Sequence, residues 1–180
     1  MHLTRSATTV RTWRADDAPA LARNANNRKI WINVRDRFPS PYTIDDAEGW
    51  VRHCARAMPA TDFAIEVDGE AAGGIGVVLH DDVERVSAEL GFWLGESFWG
   101  RGVMTDAVSL FVPWAFLQFE LTRVYAHVFS YNVGSARVLE KAGFLREGLL
   151  RRAVIKEGRI LDEWLYACVR DGDGEAPGSA

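Results

Sequence analysis

The sequence predicts one domain of the α+β (mixed α/β) class, with a central mixed sheet of about seven strands flanked by helices. Three observations lead there. The 180-residue chain is 48% hydrophobic and 26% charged, the balance of a globular domain, and a core of that size buries about 70% of the unfolded surface without a disulfide or metal staple. Runs that alternate apolar and polar residues are interleaved with stretches of helical periodicity. Turn dipeptides, Asp68-Gly69 and Glu157-Gly158, join adjacent strand-like runs.

Taken in order, Thr8 to Arg14 reads as a first strand, and a helix follows from Asp16 or Asp17 with Pro19 in its first turn. Residues 27–42 mix bases with aromatics and end in two prolines, which predicts a short helix and then a loop. Thr43 opens another helix through a capping box in which Asp46 replaces the usual Glu or Gln; it runs to about Ala57 and stops before Pro59. Phe63, Ile65 and Val67 alternate into the Asp68-Gly69 turn, and residues 70–79 return. From Val86 to Leu94 the alternation is unbroken, with Ser87, Glu89, Gly91 and Trp93 on the polar face. A helix from Gly102 to about Phe119 carries Val103, Ala107, Leu110, Phe111 and Trp114 on one stripe, with a kink at Pro113. A strand at 123–129, a helix at 133–142 and a hairpin of 144–156 with 159–170 complete the order β-α-α-β-β-β-α-β-α-β-β.

Composition narrows the function. A net charge of −4, from 21 basic and 25 acidic residues, speaks against a nucleic-acid partner. The longest uncharged run, Ala107 to Phe119, is broken by Pro113 and falls short of the ~20 residues of a membrane span. With no apolar stretch in MHLTRSATT to act as a leader, the expected location is cytoplasmic. Cys54 and Cys168 read as reduced thiols, and no residues at metal-ligand spacing call for a metal. Residues 171–180 lack bulky apolar side chains and are expected to form a disordered tail, leaving one domain over 8–170.

The segment richest in chemistry follows the strand at 86–94. There Trp99-Gly100-Arg101-Gly102-Val103-Met104-Thr105 turns into a helix. Such a turn offers unpaired N–H groups and the positive end of a helix dipole to an anion; an ordinary strand–turn–helix needing glycine for geometry is the alternative. It is no P-loop, since no Gly-Lys-Ser/Thr follows, and the Gly73-Gly74-Ile75-Gly76 cluster is no dinucleotide fingerprint.

From Glu89 to Phe144 the sequence resembles the GNAT superfamily of N-acetyltransferases, in particular the branch of ribosomal-protein N-terminal (alanine/serine) acetyltransferases. Trp99 to Met104 is similar to that family's Gln/Arg-x-x-Gly-x-Gly/Ala acyl-CoA loop, with Trp99 and Met104 as departures. Asn132, Ser135, Gly143 and Phe144 match its Asn-x-x-Ser-(x)₇-Gly-Phe signature. The resemblance implies a GNAT-like single domain and acetyl-CoA as co-substrate. It implies cofactor contacts from the amides of Trp99, Gly100, Arg101, Gly102, Val103 and Met104, the Thr105 hydroxyl, the backbone of Phe92, Trp93 and Leu94, and from Asn132 and Arg137. The bulky Met104 must then point away from the phosphates.

Catalytic roles follow from the same resemblance. Many members place a Tyr acid seven residues after the Asn, where this chain has Leu139, so Ser135 becomes the proton donor to the thiolate. Glu89, on the polar face of its strand, is the first candidate for the base, beside the alternative of a solvated strand carboxylate. Some of the branch use an acid in the closing hairpin; the matching position is Val154, with Asp162 and Glu163 nearby. His127 reads as a packed or surface histidine rather than a base.

The acceptor is an amine on a ribosomal or other protein N-terminus, or on a small molecule. The resemblance implies that residues 23–42 border the acceptor end of the cleft, where Arg23, Arg28, Lys29, Arg35 and Arg37 among Trp31, Phe38 and Tyr42 read as a basic, aromatic rim, or simply as solvated arginines. The expected molecule is a monomer or homodimer without membrane contact. A catalytically silent acyl-CoA-binding regulatory module is the alternative function, separated from the first by turnover with an amine panel.

Overall fold

A computed structural model describes residues 1–170; the expected tail at 171–180 lies outside the described residues. Eight strands form one sheet in the order β1-β2-β3-β4-β5-β6-β8-β7. They are β1 (His2–Arg5), β2 (Thr8–Arg11), β3 (Asp62–Val67), β4 (Glu70–Leu79), β5 (Ser87–Leu94), β6 (Arg123–Phe129), β7 (Leu145–Lys156) and β8 (Arg159–Val169). Five helices accompany them: α1 (Ala18–Ala25), α2 (Arg28–Trp31), α3 (Ile44–Arg56), α4 (Val103–Gln118) and α5 (Val133–Lys141). The expected class holds, and so does the element order, with one strand more and with the short helix expected within 27–42 (α2) as an element of its own.

The extra strand is β1, which pairs antiparallel with β2 through Leu3↔Val10. Its short polar run has no alternation to betray it. The first predicted strand also ends early, at Arg11 rather than Arg14, because Trp13 leaves the sheet and packs with α1 and α3. Elsewhere local chemistry acts as read. Thr43 accepts from the Asp46 N–H at 3.2 Å while Asp46 accepts from the Thr43 N–H at 2.8 Å, a capping box with Asp in the Glu position.

The two sheet faces carry separate cores. On one, α4 and α5 cover Val10, Ile65, Ile75, Leu90, Val124 and Tyr166; on the other, α1 and α3 cover Trp13, Ala64 and Ala71. The α4 stripe is wider than its periodicity suggests and is rotated. Val103, Met104, Ala107, Val108, Phe111, Val112, Ala115 and Phe116 are buried, whereas Leu110 and Trp114 are only half-buried. The helix runs on through Pro113 to Gln118.

One pairing decides where the site is. β5 and β6 are parallel and matched only over Ser87↔Arg123, Ala88↔Val124 and Glu89↔Tyr125. Beyond Glu89, β5 stays with β4 up to Leu94, while β6 stays with β8 up to Phe129. The sheet therefore opens between Gly91–Leu94 and the end of β6.

A buried ion cluster fixes the start of α1. Arg11, 2% exposed, donates to both Asp17 oxygens at 2.7 and 2.8 Å and through Nε to Glu66 at 2.5 Å. Asp17 also accepts from the Arg14 N–H at 2.7 Å. Removing one partner strands a buried charge, so Asp17→Ala is expected to cost about 3–5 kcal/mol in urea unfolding; a cost below about 1 kcal/mol would show that Glu66 alone neutralises Arg11.

Candidate active site

The turn after β5 is built from local conformation. Gly100 and Gly102 sit at φ +74° and +81°, where an L side chain is strained, and nothing lies within 4 Å of where either Cβ would be. Gly102 precedes α4, and the first N–H to reach a helical acceptor is that of Asp106, 3.0 Å from the Gly102 carbonyl. The N–H groups of Val103, Met104 and Thr105 therefore lack helical partners and face the open side. Met104 is buried, 7% exposed, and packs in the core that α4 covers. Trp99 donates through Nε1 to the Leu94 carbonyl at 2.7 Å and ties the turn to the end of β5.

The opening in the sheet continues this turn into a groove of about 610 Å³. Phe92, Trp93, Leu94, Trp99, Gly100 and Gly102 to Thr105 line one side, and Asn132, Ser135, Arg137 and Lys141 the other. The structure thus brings together all the residues expected at the cofactor except the Arg101 side chain. That guanidinium lies over the Phe98 ring at 5.7 Å and 3.6 Å from Asp68.

Asn132 caps α5. Its Oδ1 accepts from the Ser135 N–H at 3.1 Å, and its Nδ2 donates to Ser135 Oγ at 3.0 Å. Ser135 is therefore not the cap. Its oxygen already accepts one bond, which leaves the hydroxyl proton free to be donated into the groove. Leu139, at the position where many relatives carry a Tyr, is fully buried and brings no acid.

Across Phe92, Trp93, Asn132 and Ser135 the groove meets a second cleft of about 330 Å³, whose wall holds Glu89, His127 and Glu163. Their environments differ. Glu89 takes a hydrogen bond from Arg35, and its Oε1 lies 3.5 Å from His127 Nδ1, a contact at the long edge of hydrogen bonding. The polar contact with His127, helped by Arg35 and opposed by burial, pulls the Glu89 carboxyl down to about 2. The same contact raises His127 above the usual imidazole range, against the effect of burial. Glu163 is 5% exposed and has no hydrogen-bonding partner among the described residues. Burial raises its carboxyl, Glu89 adds to the rise, and His127 and Arg35 oppose it.

The roof is the segment around α2, held by side chains that sequence reasoning did not single out. Lys156, 4% exposed, donates to the Val34 carbonyl at 2.9 Å and to Asp36 at 2.6 Å, and its ammonium lies 3.7 Å above the Trp31 ring centroid. Tyr131 donates to the Ile32 carbonyl. The expected basic rim is largely neutralised: Arg23 pairs with Glu70, Arg28 with Glu157, Lys29 with Glu96 and Arg35 with Glu89. These partners lie 40 or more residues away, so their approach leaves no local sequence signal. Among the described residues there is no group of three or more His, Cys, Asp or Glu fit to hold a metal, and no helix is long and apolar enough to cross a membrane.

Comparison with known proteins agrees with this geometry. Residues 8–145 match the family described as an acetyltransferase (GNAT) domain. The "Putative ribosomal N-acetyltransferase YdaF" of Bacillus subtilis (strain 168) is 35% identical over 174 residues, covering 93% of this chain and 94% of its own. The "Probable N-acetyltransferase YjcK" of the same organism is 41% identical over 87 residues; that match covers 48% of either chain, so the chain spans about half the length of this relative. Among solved structures, Mycobacterium smegmatis RimJ in complex with CoA-disulfide is 27% identical with a TM-score of 0.80, covering 94% of this chain and 86% of that one.

The Glu89–His127 contact makes a testable contribution to stability. Glu89 is depressed from 4.5 to about 2, so its share is present above 4.5 and lost as pH falls through about 2. His127 is raised above 6.5, so its share is complete below 6.5 and lost as pH rises through the folded value. The stability difference between wild type and Glu89→Gln in urea should therefore be greatest between pH 4.5 and 6.5 and shrink on both sides. A difference independent of pH would show that the contact is not ionic.

Proposed function

The chain belongs to the GNAT acetyltransferase family, and from that premise we propose that residues 8–170 form a domain that moves an acetyl group from acetyl-CoA directly to a primary amine. One observation carries the reading: the free amides at the start of α4 open into the same sheet gap that leads to the carboxylate wall. The residues present fit the cofactor. Helix-terminal N–H groups and two left-handed glycines with open space suit a pyrophosphate, and Arg137 and Lys141 suit further phosphates. The unpaired edge of Phe92 to Leu94 suits the pantetheine amides, and an N–H on that edge would be the group to stabilise the thioester oxygen as charge develops on it. Bound acetyl-CoA supplies the acetyl group as a thioester.

The chain's own groups then handle two protons. The acceptor arrives as an ammonium and must lose one before its nitrogen can attack. Glu89, the first candidate from sequence, is too weak a base: moving a proton to a carboxyl at about 2 from an α-ammonium near 8 climbs roughly 8 kcal/mol. Glu163, in the same wall and shifted the opposite way, is better matched and takes the proton. Glu89 holds His127 and Arg35 in position. Ser135 Oγ, steadied by Asn132, passes its proton to the departing thiolate sulfur as the carbon–sulfur bond breaks, and takes in its place the second proton that the acceptor nitrogen sheds as the amide forms.

For the acceptor we favour a protein N-terminus. The name of YdaF, a ribosomal N-acetyltransferase by its label and matched nearly end to end, supports this choice, and so does a cleft open enough for a chain end. A turnover screen of N-terminal peptides against small amines tests it. In that assay Glu163→Gln should lower kcat by about 10²–10⁴ with acetyl-CoA affinity held, and the loss should shrink at high pH, where the amine deprotonates unaided. Glu89→Gln should cost less. The reverse ranking would return the base to Glu89, and acetyl-CoA binding with no turnover on any amine would overturn transfer itself.

A further inference from the structure

The inner end of the acceptor cleft has a polarity that proton transfer does not use. The cleft that holds the Glu89–Glu163 wall is also lined by Trp13, Leu21 and Trp50. Trp13 is 8% exposed, and its indole N–H is buried without a hydrogen-bonding partner among the described residues. An orphaned buried donor costs about 1–3 kcal/mol, so a ligand that supplies an acceptor there recovers that cost.

The floor is made by glycine. A Cβ on Gly74 would lie 2.8 Å from Trp93 Nε1 and 3.3 Å from the Trp13 ring, and one on Gly76 would lie 2.6 Å from Asp62 Oδ1. These two positions are two residues apart on one face of β4, about 7 Å. Two indole edges and a carboxylate therefore line up over a strip without side chains. Asp62 Oδ2 accepts from Thr61 at 2.9 Å, while Oδ1 stands over Gly76 where Asp62 lines the cleft. Phe38 closes the side, 4.9 Å from the Tyr42 ring and edge-on to Trp93 at 5.6 Å.

The character of the occupant follows by elimination. A cation would pair with Asp62 but leave the Trp13 donor unpaired, with Arg37 also on the lining. An anion would meet Asp62. An aliphatic chain would leave the Trp13 donor unpaired. The geometry points to a subsite for a planar, uncharged ring with a hydrogen-bonding edge, of which a phenol is the simplest member, lying among the aromatic walls, accepting from Trp13 and donating to Asp62. It rests on the reading of this cleft as the acceptor site and deepens it: the acceptor carries such a ring close to its amine.

Tyramine and phenethylamine differ only in the phenolic hydroxyl and carry the same charge, so they isolate the claim. Titrated into the full-length protein, tyramine should bind about ten-fold more tightly. Its binding should move one of the indole N–H resonances of the seven tryptophans, the one absent from Trp13→Phe. In that variant the two amines should bind within about two-fold of each other. The wild-type comparison stands even if the variant fails to fold. Equal affinities, no binding by either amine, or a preference that survives Trp13→Phe would overturn the subsite. Acetyl transfer to peptides, followed on the same samples, reports on the reaction separately. Turnover without the phenol preference removes the subsite alone, and the preference without turnover removes the transfer reading alone.

Discussion

The parting of β5 from β6 after Glu89 and Tyr125 is the constraint on which the rest of the molecule depends. Had the two strands stayed paired, the sheet would be closed and the amides of α4 would face a wall. Each strand instead continues with its other neighbour, β5 with β4 and β6 with β8, so the gap costs pairing on one edge of each strand only. The ends that frame it are both helix starts. α4 brings its free N–H groups and α5 brings Asn132 and Ser135, so the positive ends of two helices converge on one opening. Tertiary ties close the roof above it, chiefly Lys156 on Trp31, Val34 and Asp36.

Within that frame, three titratable groups on one strip of sheet are driven apart by their neighbours. Cross-strand pairing sets Glu89 opposite Tyr125 on β6 and Glu163 opposite Phe129, with His127 between. Arg35, reaching down from the roof, adds its positive charge to the Glu89 side. Glu163 receives no such hydrogen bond among the described residues, and burial, with Glu89 adding to it, raises its proton affinity against the pull of His127 and Arg35. Contact with His127, together with Arg35 held by the roof, thus makes two similar carboxylates unequal, and the roof is held by a lysine on the far hairpin.

Much of this was legible in the sequence wherever the cause is local. The Gly100 and Gly102 turn needs left-handed backbone, the Thr43–Asp46 box satisfies its own N–H groups, and the β5 alternation separates a buried from a polar face. Asn132 and Ser135 sit three residues apart because the capping bond spans that interval. What stayed hidden has long-range causes. Lys156, beside a Glu-Gly turn, has no local signal of burial, and only the arrival of residues 31–36 buries it. The arginines of 23–37 read as a positive rim because their carboxylate partners come from other strands. The opposite shifts of Glu89 and Glu163 were hidden for the same reason, since charge placement says nothing about proton affinity until Arg35 and His127 are in position. β1 was missed because a short polar strand needs only an edge to pair with.

The central claim is that the sheet gap and the start of α4 together receive acetyl-CoA. Site-resolved amide hydrogen exchange with and without acetyl-CoA tests it most directly. The account predicts slowed exchange at the amides of Gly100 to Thr105 and of Gly91 to Leu94, with little change along β1 to β3. Protection absent from both segments, or confined to the Glu89–Glu163 cleft, would contradict it.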